Sequence, residues 1–188
     1  MPNLHELENA MPVAPLKLIT LQSAADLGSK VNDYLVEYRS SIHNVYNEDP
    51  AFQGYSEKNY QLDFSAPRFN SGEGKVVLNE TVRGKDLFII VDVCNHSLTY
   101  KMNGYENHMS PDDHFQDMKR VIAAVGGKAR RVNVIMPYLY ESRQDKRVGR
   151  ESLDCANALH ELIDMGVENI ITFDAHDSRV QNATPLHG

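Results

Sequence analysis

The sequence predicts an α/β fold, a parallel sheet covered by helices on both faces, on three observations. Short β-branched runs alternate with stretches of helical periodicity. Those runs are almost continuously apolar, which marks strands buried on both faces. Glycines and capping residues punctuate the boundaries between them. At 188 residues the chain suits one such domain without disulfide staples, and its two cysteines, Cys94 and Cys155, make no scaffold.

The elements follow in order. Leu16 to Thr20 reads as a short buried strand, and from Ser23 a helix places Leu27, Val31, Tyr34, Leu35 and Tyr38 on one face. Residues from about 40 to 67 are polar and irregular, an excursion from the core. Lys75 to Leu78 and Asp86 to Val91 are the next strands, with a turn at Arg83 and Gly84 between them. A second irregular stretch, 94 to 111, precedes a helix that starts at Asp112 or Asp113. Phe115, Met118, Val121, Ile122 and Val125 line that helix, and Gly126 and Gly127 stop it. Val132 to Met136 is a strand ending at Pro137. A third helix from about Ser152 turns Leu153, Ala156, Leu159, Leu162 and Ile163 inward, Gly166 ends it, and Asn169 to Phe173 is a last buried strand.

The net charge of −7 hides an asymmetry. Between Lys119 and Arg150 lie nine of the nineteen cations against two acids, Glu141 and Asp145, so that window is locally +7 and the remainder −14. An acidic remainder argues against nucleic acid and membrane surfaces, both polyanionic. The window has only Tyr138 and Tyr140 interleaved and follows no nucleic-acid motif, so a pocket for a small polyanion is the sharper expectation. The amino terminus has no apolar run of signal-peptide length, and no stretch approaches the roughly 18 apolar residues of a membrane span. A cytoplasmic location is expected, and the sequons at Asn79, Asn95 and Asn182 read as chance matches.

Ligands of open α/β sheets bind beyond the carboxyl ends of the strands. Two polar clusters fall there, PYLYESRQDKRVGR after the Val132 strand and DAHDSR after the Asn169 strand. If those strands are neighbours, Arg143, Gln144, Asp145, Asp174, His176 and Asp177 meet at one edge. Arg143, Lys146, Arg147 and Arg150 would supply charge for a phosphate chain, and an arginine fork can grip phosphate oxygens in two places. His176 offers an imidazole for a metal or for acid–base work, with Asp174 and Asp177 to orient it or bind a hydrated magnesium. The group His108, Asp112, Asp113 and His114 fits a helix start better than a metal site. SGEGK, Ser71 to Lys75, lacks the spacing of a P-loop and precedes a strand, and no Ser or Cys nucleophile stands beside a base.

Three stretches in order resemble the ribose-phosphate pyrophosphokinases, or phosphoribosyl pyrophosphate synthetases: RFNSGEGKVVLNETVRGKDLFII (Arg68 to Ile90), VIMPYLYESRQDKR (Val134 to Arg147) and GVENIITFDAHDSRVQ (Gly166 to Gln181). The resemblance implies a phosphoribosyltransferase-like domain over 1–188, the amino-terminal, ATP-binding half of such an enzyme, with insertions near 40–67 and 94–111. It implies that Phe69, Ser71 and Glu73 sit at the adenine across a subunit interface, and that Arg143, Gln144 and Asp145 serve the nucleotide. His176 would ligate Mg2+ on the ATP phosphates, in a homo-oligomer that transfers the diphosphoryl group of ATP to ribose 5-phosphate. The flexible catalytic loop and the acidic ribose 5-phosphate loop would belong to a second half outside this chain, leaving the chain alone inactive. Departures are Ser71 where the family has Asp, Glu141 and Ser142 where it has Tyr and Ala, and Arg179 where it has Gln. They leave a non-catalytic regulatory subunit of the same family as the alternative.

Overall fold

The computed structural model describes residues 11–46 and 52–184. The first ten residues, read above as lacking a leader, and 47–51 of the irregular stretch lie outside them. The main sheet has four parallel strands in the order β1 (Leu16–Thr20), β4 (Asp86–Ile90), β7 (Arg131–Ile135) and β8 (Asn169–Ile171). Leu18 faces Phe88, Phe88 faces Asn133, and Asn133 faces Asn169. Three helices connect these strands: α1 (Ala25–Tyr46), α2 (Pro111–Val125) and α3 (Asp154–Asp164). Two antiparallel pairs lie outside the sheet, β2 (Phe64–Ser65) with β3 (Val77–Leu78), and β5 (Thr99–Met102) with β6 (Tyr105–His108).

Helices cover both faces because the chain reverses direction once. Leu18 N–H donates to the Tyr60 carbonyl (2.8 Å) and Leu62 N–H to the Leu18 carbonyl (2.8 Å), so Tyr60 to Leu62 extend the sheet on the outer side of β1. The α1 crossover therefore steps one way, and the crossovers to β7 and β8 step the other. Right-handed connections then place α1 on the face opposite α2 and α3. The burial divides accordingly. Leu16, Leu18, Ala24, Tyr60 and Ile90 pack with Leu27, Val31 and Leu35 of α1, while Ile19, Leu87, Ile89 and Val134 pack with Phe115, Met118, Val121, Leu159 and Leu162 of α2 and α3. Each such fully buried side chain contributes about 1.5–3 kcal/mol.

Several expectations are corrected. The helix after β1 begins as a 3-10 turn, Gln22–Ala24, and α1 then runs on to Tyr46, past the residue 40 boundary. Tyr34 is not on its core face: it is 63% exposed and stacks on Tyr38 at 5.9 Å. The stretch read as an excursion supplies core residues, with Phe52, Tyr60 and Leu62 all buried. The α2 helix is capped by Ser110, not by an aspartate; Asp113 N–H donates to the Ser110 hydroxyl (3.1 Å), and the Asp113 carboxylate accepts from Ser110 N–H (2.9 Å) in a capping box. The stretch 94–111 contains the β5–β6 hairpin. In α3 the buried set is Cys155, Ala158, Leu159 and Leu162. β8 stops at Ile171 and is an edge strand, so Phe173 is 76% exposed.

Candidate functional site

β7 and β8 are neighbours, and their pairing continues past the regular strands. Phe173 and Asp174 N–H groups donate to the Pro137 carbonyl (3.1 and 2.9 Å), and Leu139 N–H donates to the Asp174 carbonyl (3.0 Å). The two polar clusters are thereby tied side by side at the carboxyl edge. After Leu139 the chain makes a tight turn, with Glu141 at φ 55 and Gln144 N–H donating to its carbonyl (2.9 Å). Arg143 emerges from that turn exposed, and its charge reaches Cys94 beyond β4. Burial and Asp92 push the Cys94 thiol up while Arg143 pulls it down, so the ends of β4, β7 and β8 share one rim.

Around His176 the charges alternate. Arg179 donates to both oxygens of Asp177, and these bonds, with the Arg179 backbone N–H, hold the Asp177 carboxyl far below the usual carboxylate range; Lys146 adds to the effect. Asp145 acts on Arg179 in turn, after Asp177. His176 and Asp174 are exposed beside them. Gln144 is engaged internally: its amide donates to the Ser152 carbonyl (2.8 Å), and its own carbonyl accepts from Cys155 N–H (3.3 Å), closing the 145–151 loop onto the start of α3.

The basic window divides by role. Lys119 pairs with Glu161 (2.6 Å), Arg120 with Asp117 (2.5 Å) and Arg131 with buried Asp86 (2.6 Å). Arg143, Lys146, Arg147 and Arg150 are exposed on the loop after β7. Glu141 turns to the other side, where it lines a 420 Å³ hollow between α2 and α3 with Asp112 and Asp154. Desolvation, then Asp154 and Asp112, push its carboxyl up. Its neighbour Tyr140 is also pushed up, by burial and by its hydrogen bond to Asp112 (2.7 Å).

Phe69, Ser71 and Glu73 lie elsewhere, on a small loop beside the amino end of α2. Phe69 N–H donates to the Glu73 carbonyl (2.8 Å), and Ser71 Oγ donates to the Glu73 carboxylate (2.8 Å). Phe69 is 53% exposed. Among the described residues no hydrogen bond or ion pair joins this loop to the rim around His176.

The group of His108, Asp112, Asp113 and His114 is structural. The ring nitrogens of His108 and His114 meet the carbonyls of His96 (2.8 Å) and Asn95 (2.7 Å), Asp112 meets Tyr140, and Asp113 closes the capping box. Among the described residues no three His, Cys, Asp or Glu side chains are arranged to hold a metal. The exposed rim groups of a type that could hold a hydrated cation are His176 and Asp174.

Hollows elsewhere in the molecule lack these residues. One of about 720 Å³ lies near the amino end of β8, lined by Arg131, Glu168 and Asn169 among others. One of 500 Å³ lies where the sheet reverses, between the ends of β1 and β4. Its polar groups satisfy one another: Asp92 N–H donates to Ser23 Oγ (3.1 Å), Asn95 Nδ2 to the Ser23 carbonyl (2.8 Å), and Ser97 to Asn95 Oδ1 (2.6 Å).

By fold the chain is an open α/β domain with Arg143, Lys146, Arg147, Arg150 and the exposed His176 imidazole on loops at the carboxyl ends of a parallel sheet. The family model of the N-terminal domain of ribose phosphate pyrophosphokinase matches residues 16–166, and the chain belongs to that family. It is 32% identical over 121 residues to ribose-phosphate pyrophosphokinase 1 of Schizosaccharomyces pombe, covering 63% of this chain and 26% of that protein. It is 30% identical over 122 residues to the ribose-phosphate pyrophosphokinase of Vibrio parahaemolyticus, covering 63% and 34%. A solved phosphoribosylpyrophosphate synthetase from Mycobacterium smegmatis shares the fold, with a TM-score of 0.65 at 21% identity over 89% of this chain and 45% of that one. The matched stretches thus make up about a quarter to a third of these curated relatives' length. No helix among the described residues is long and apolar enough to cross a membrane.

Proposed function

We propose that this chain is the ATP-binding half of a ribose-phosphate pyrophosphokinase, with Arg143, Lys146 and His176 at the polyphosphate of ATP. The observation that carries the proposal is the pairing of the β7 and β8 ends, which sets an arginine–lysine loop beside an exposed imidazole. In the reaction proposed, the 1-hydroxyl oxygen of ribose 5-phosphate bonds to the β-phosphorus of ATP. The bond from that phosphorus to the bridging α,β oxygen breaks, the hydroxyl proton is lost, and AMP leaves. Catalysis of this kind rests on positioning and on neutralising phosphate charge. Arg143 would grip phosphate oxygens, Asp145 would steady the cationic loop through Arg179, and His176 with Asp174 would hold Mg2+, which when bound neutralises the phosphates. Phe69, Ser71 and Glu73 lie away from the rim, consistent with a nucleobase site completed by a second copy in a homo-oligomer. A cytoplasmic setting accords with this chemistry.

A second reading, a non-catalytic subunit of the same family, is favoured by two observations: Ser71 is turned onto Glu73, and Gln144 onto Ser152. Calorimetric titration with magnesium-ATP separates the two. The catalytic reading expects saturable binding that Arg143→Ala or His176→Ala weakens about tenfold or more, the loss typical of a charged hydrogen-bonding partner. Absence of binding by the oligomer, or binding indifferent to both substitutions, would favour the non-catalytic subunit.

A further inference from the structure

The β5–β6 hairpin has no place in the main sheet, yet it sits against the loop that carries Phe69, Ser71 and Glu73. Arg68 is the centre of the contact. Its guanidinium is largely buried and donates to Asp117 (2.7 Å), Asp113 (3.4 Å) and the Gly72 carbonyl (2.9 Å), and the Tyr100 ring of β5 covers it at 4.5 Å. The hairpin tip adds a backbone bond, Asn103 N–H to the Asn70 carbonyl (2.9 Å). Met102 presses on Gly72 so closely that a Cβ there would lie 2.9 Å from its sulfur, and Gly72 has φ +89, which a side chain would also disfavour. On the other side, a Cβ on Gly74 would lie 2.6 Å from Arg120. The loop is thus held between α2 and the hairpin, and it leaves the Phe69 ring exposed together with Asn70, Ser71 and Glu73.

We infer that the β5–β6 hairpin is a clamp that fixes the Phe69–Glu73 loop, making Tyr100 and Met102 positioning residues for the nucleobase end of the ATP site. The first half of this inference stands on contacts alone; the second rests on the function proposed above. This role requires of neither side chain a contact with the nucleotide. Their effect is to spare binding the entropy of ordering the loop, so that loosening them weakens affinity without removing a contact.

Amide hydrogen exchange on the chain tests the clamp, and magnesium-ATP calorimetry on the same samples tests its consequence. Tyr100→Leu removes the ring over Arg68, and Met102→Ala removes the pressure on Gly72. Each is expected to speed exchange at Phe69 and Gly72 about tenfold while the β4 and β7 amides keep theirs, the size expected for losing one cation–π or packing contact from a local opening. Magnesium-ATP affinity is expected to fall several-fold, and Tyr100→Phe and Met102→Leu to restore both readouts. Unchanged exchange at Phe69 and Gly72 would overturn the clamp. Faster exchange with unchanged ATP affinity would overturn the positioning role. No ATP binding by the unsubstituted chain would instead sink the functional proposal, and the exchange data would still decide the clamp.

Discussion

Glu141 illustrates what a single residue contributes to a site by facing away from it. A carboxylate two positions before Arg143 would oppose phosphate binding if it shared the rim. At φ 55 the backbone turns left-handed there, and the side chain enters the hollow with Asp112 and Asp154. The Lys119–Glu161 pair and the Tyr140 phenol line the same hollow. The consequence is a pH dependence with a definite sign. Its carboxyl pKa is raised in the folded state, so the folded protein binds that proton more tightly than the unfolded chain. The ionised form therefore costs stability at neutral pH, and the cost disappears as pH falls below the unfolded value. Glu141→Gln is expected to raise stability only slightly near neutrality, by roughly a few tenths of a kcal/mol once solvent screening of this partly buried carboxylate is counted, and to change little near about pH 4. Urea denaturation at the two pH values measures this. The sequence shows which residue departs from the family pattern, but the direction of a side chain at a left-handed turn is set by backbone geometry that no periodicity carries.

At the scale of elements, α1 and the β5–β6 hairpin mark the limits of pattern reading. The apolar spacing of α1 is legible, but Tyr34 satisfies the same spacing while exposed, stacked on the half-buried Tyr38. The hairpin is signalled by Asn103-Gly104, the dipeptide favoured in two-residue β-turns, and both residues have positive φ. It escapes an apolar-pattern reading because its strands, TYKM and YENH, are too polar to show an inward face. Gly28 carries the opposite lesson. Helix propensity alone favours alanine there by about 1 kcal/mol. However, α1 lies so close to β1 that an added Cβ would come within 2.2 Å of the Thr20 side chain. Gly28→Ala is expected to destabilise the chain by about 1–3 kcal/mol, the cost of overpacking. A rise in the thermal midpoint would show that the helix can shift outward and that this contact is not tight.

For the whole molecule, the α/β class and the main strands were legible because they rest on apolar runs that only a doubly covered sheet can bury. The strand order was not, since it depends on Tyr60 to Leu62 returning along β1 through a stretch that reads as polar and irregular. Phe173 shows the same limit: an edge strand and a central one look alike in sequence, and only the sheet order exposes it. The charge asymmetry was legible as a window but not as a site, because Lys119, Arg120 and Arg131 serve ion pairs and leave the loop after β7 to form the rim. That rim is the centre of the functional proposal, and a magnesium-ATP titration of the isotopically labelled chain followed by NMR tests it most directly. The proposal expects shifts at 138–147 and 174–179 that Arg143→Ala and His176→Ala both diminish. Shifts centred instead on Arg131, Glu168 and Asn169 at the opposite end of the sheet, or a rim left unperturbed by saturating nucleotide, would contradict it.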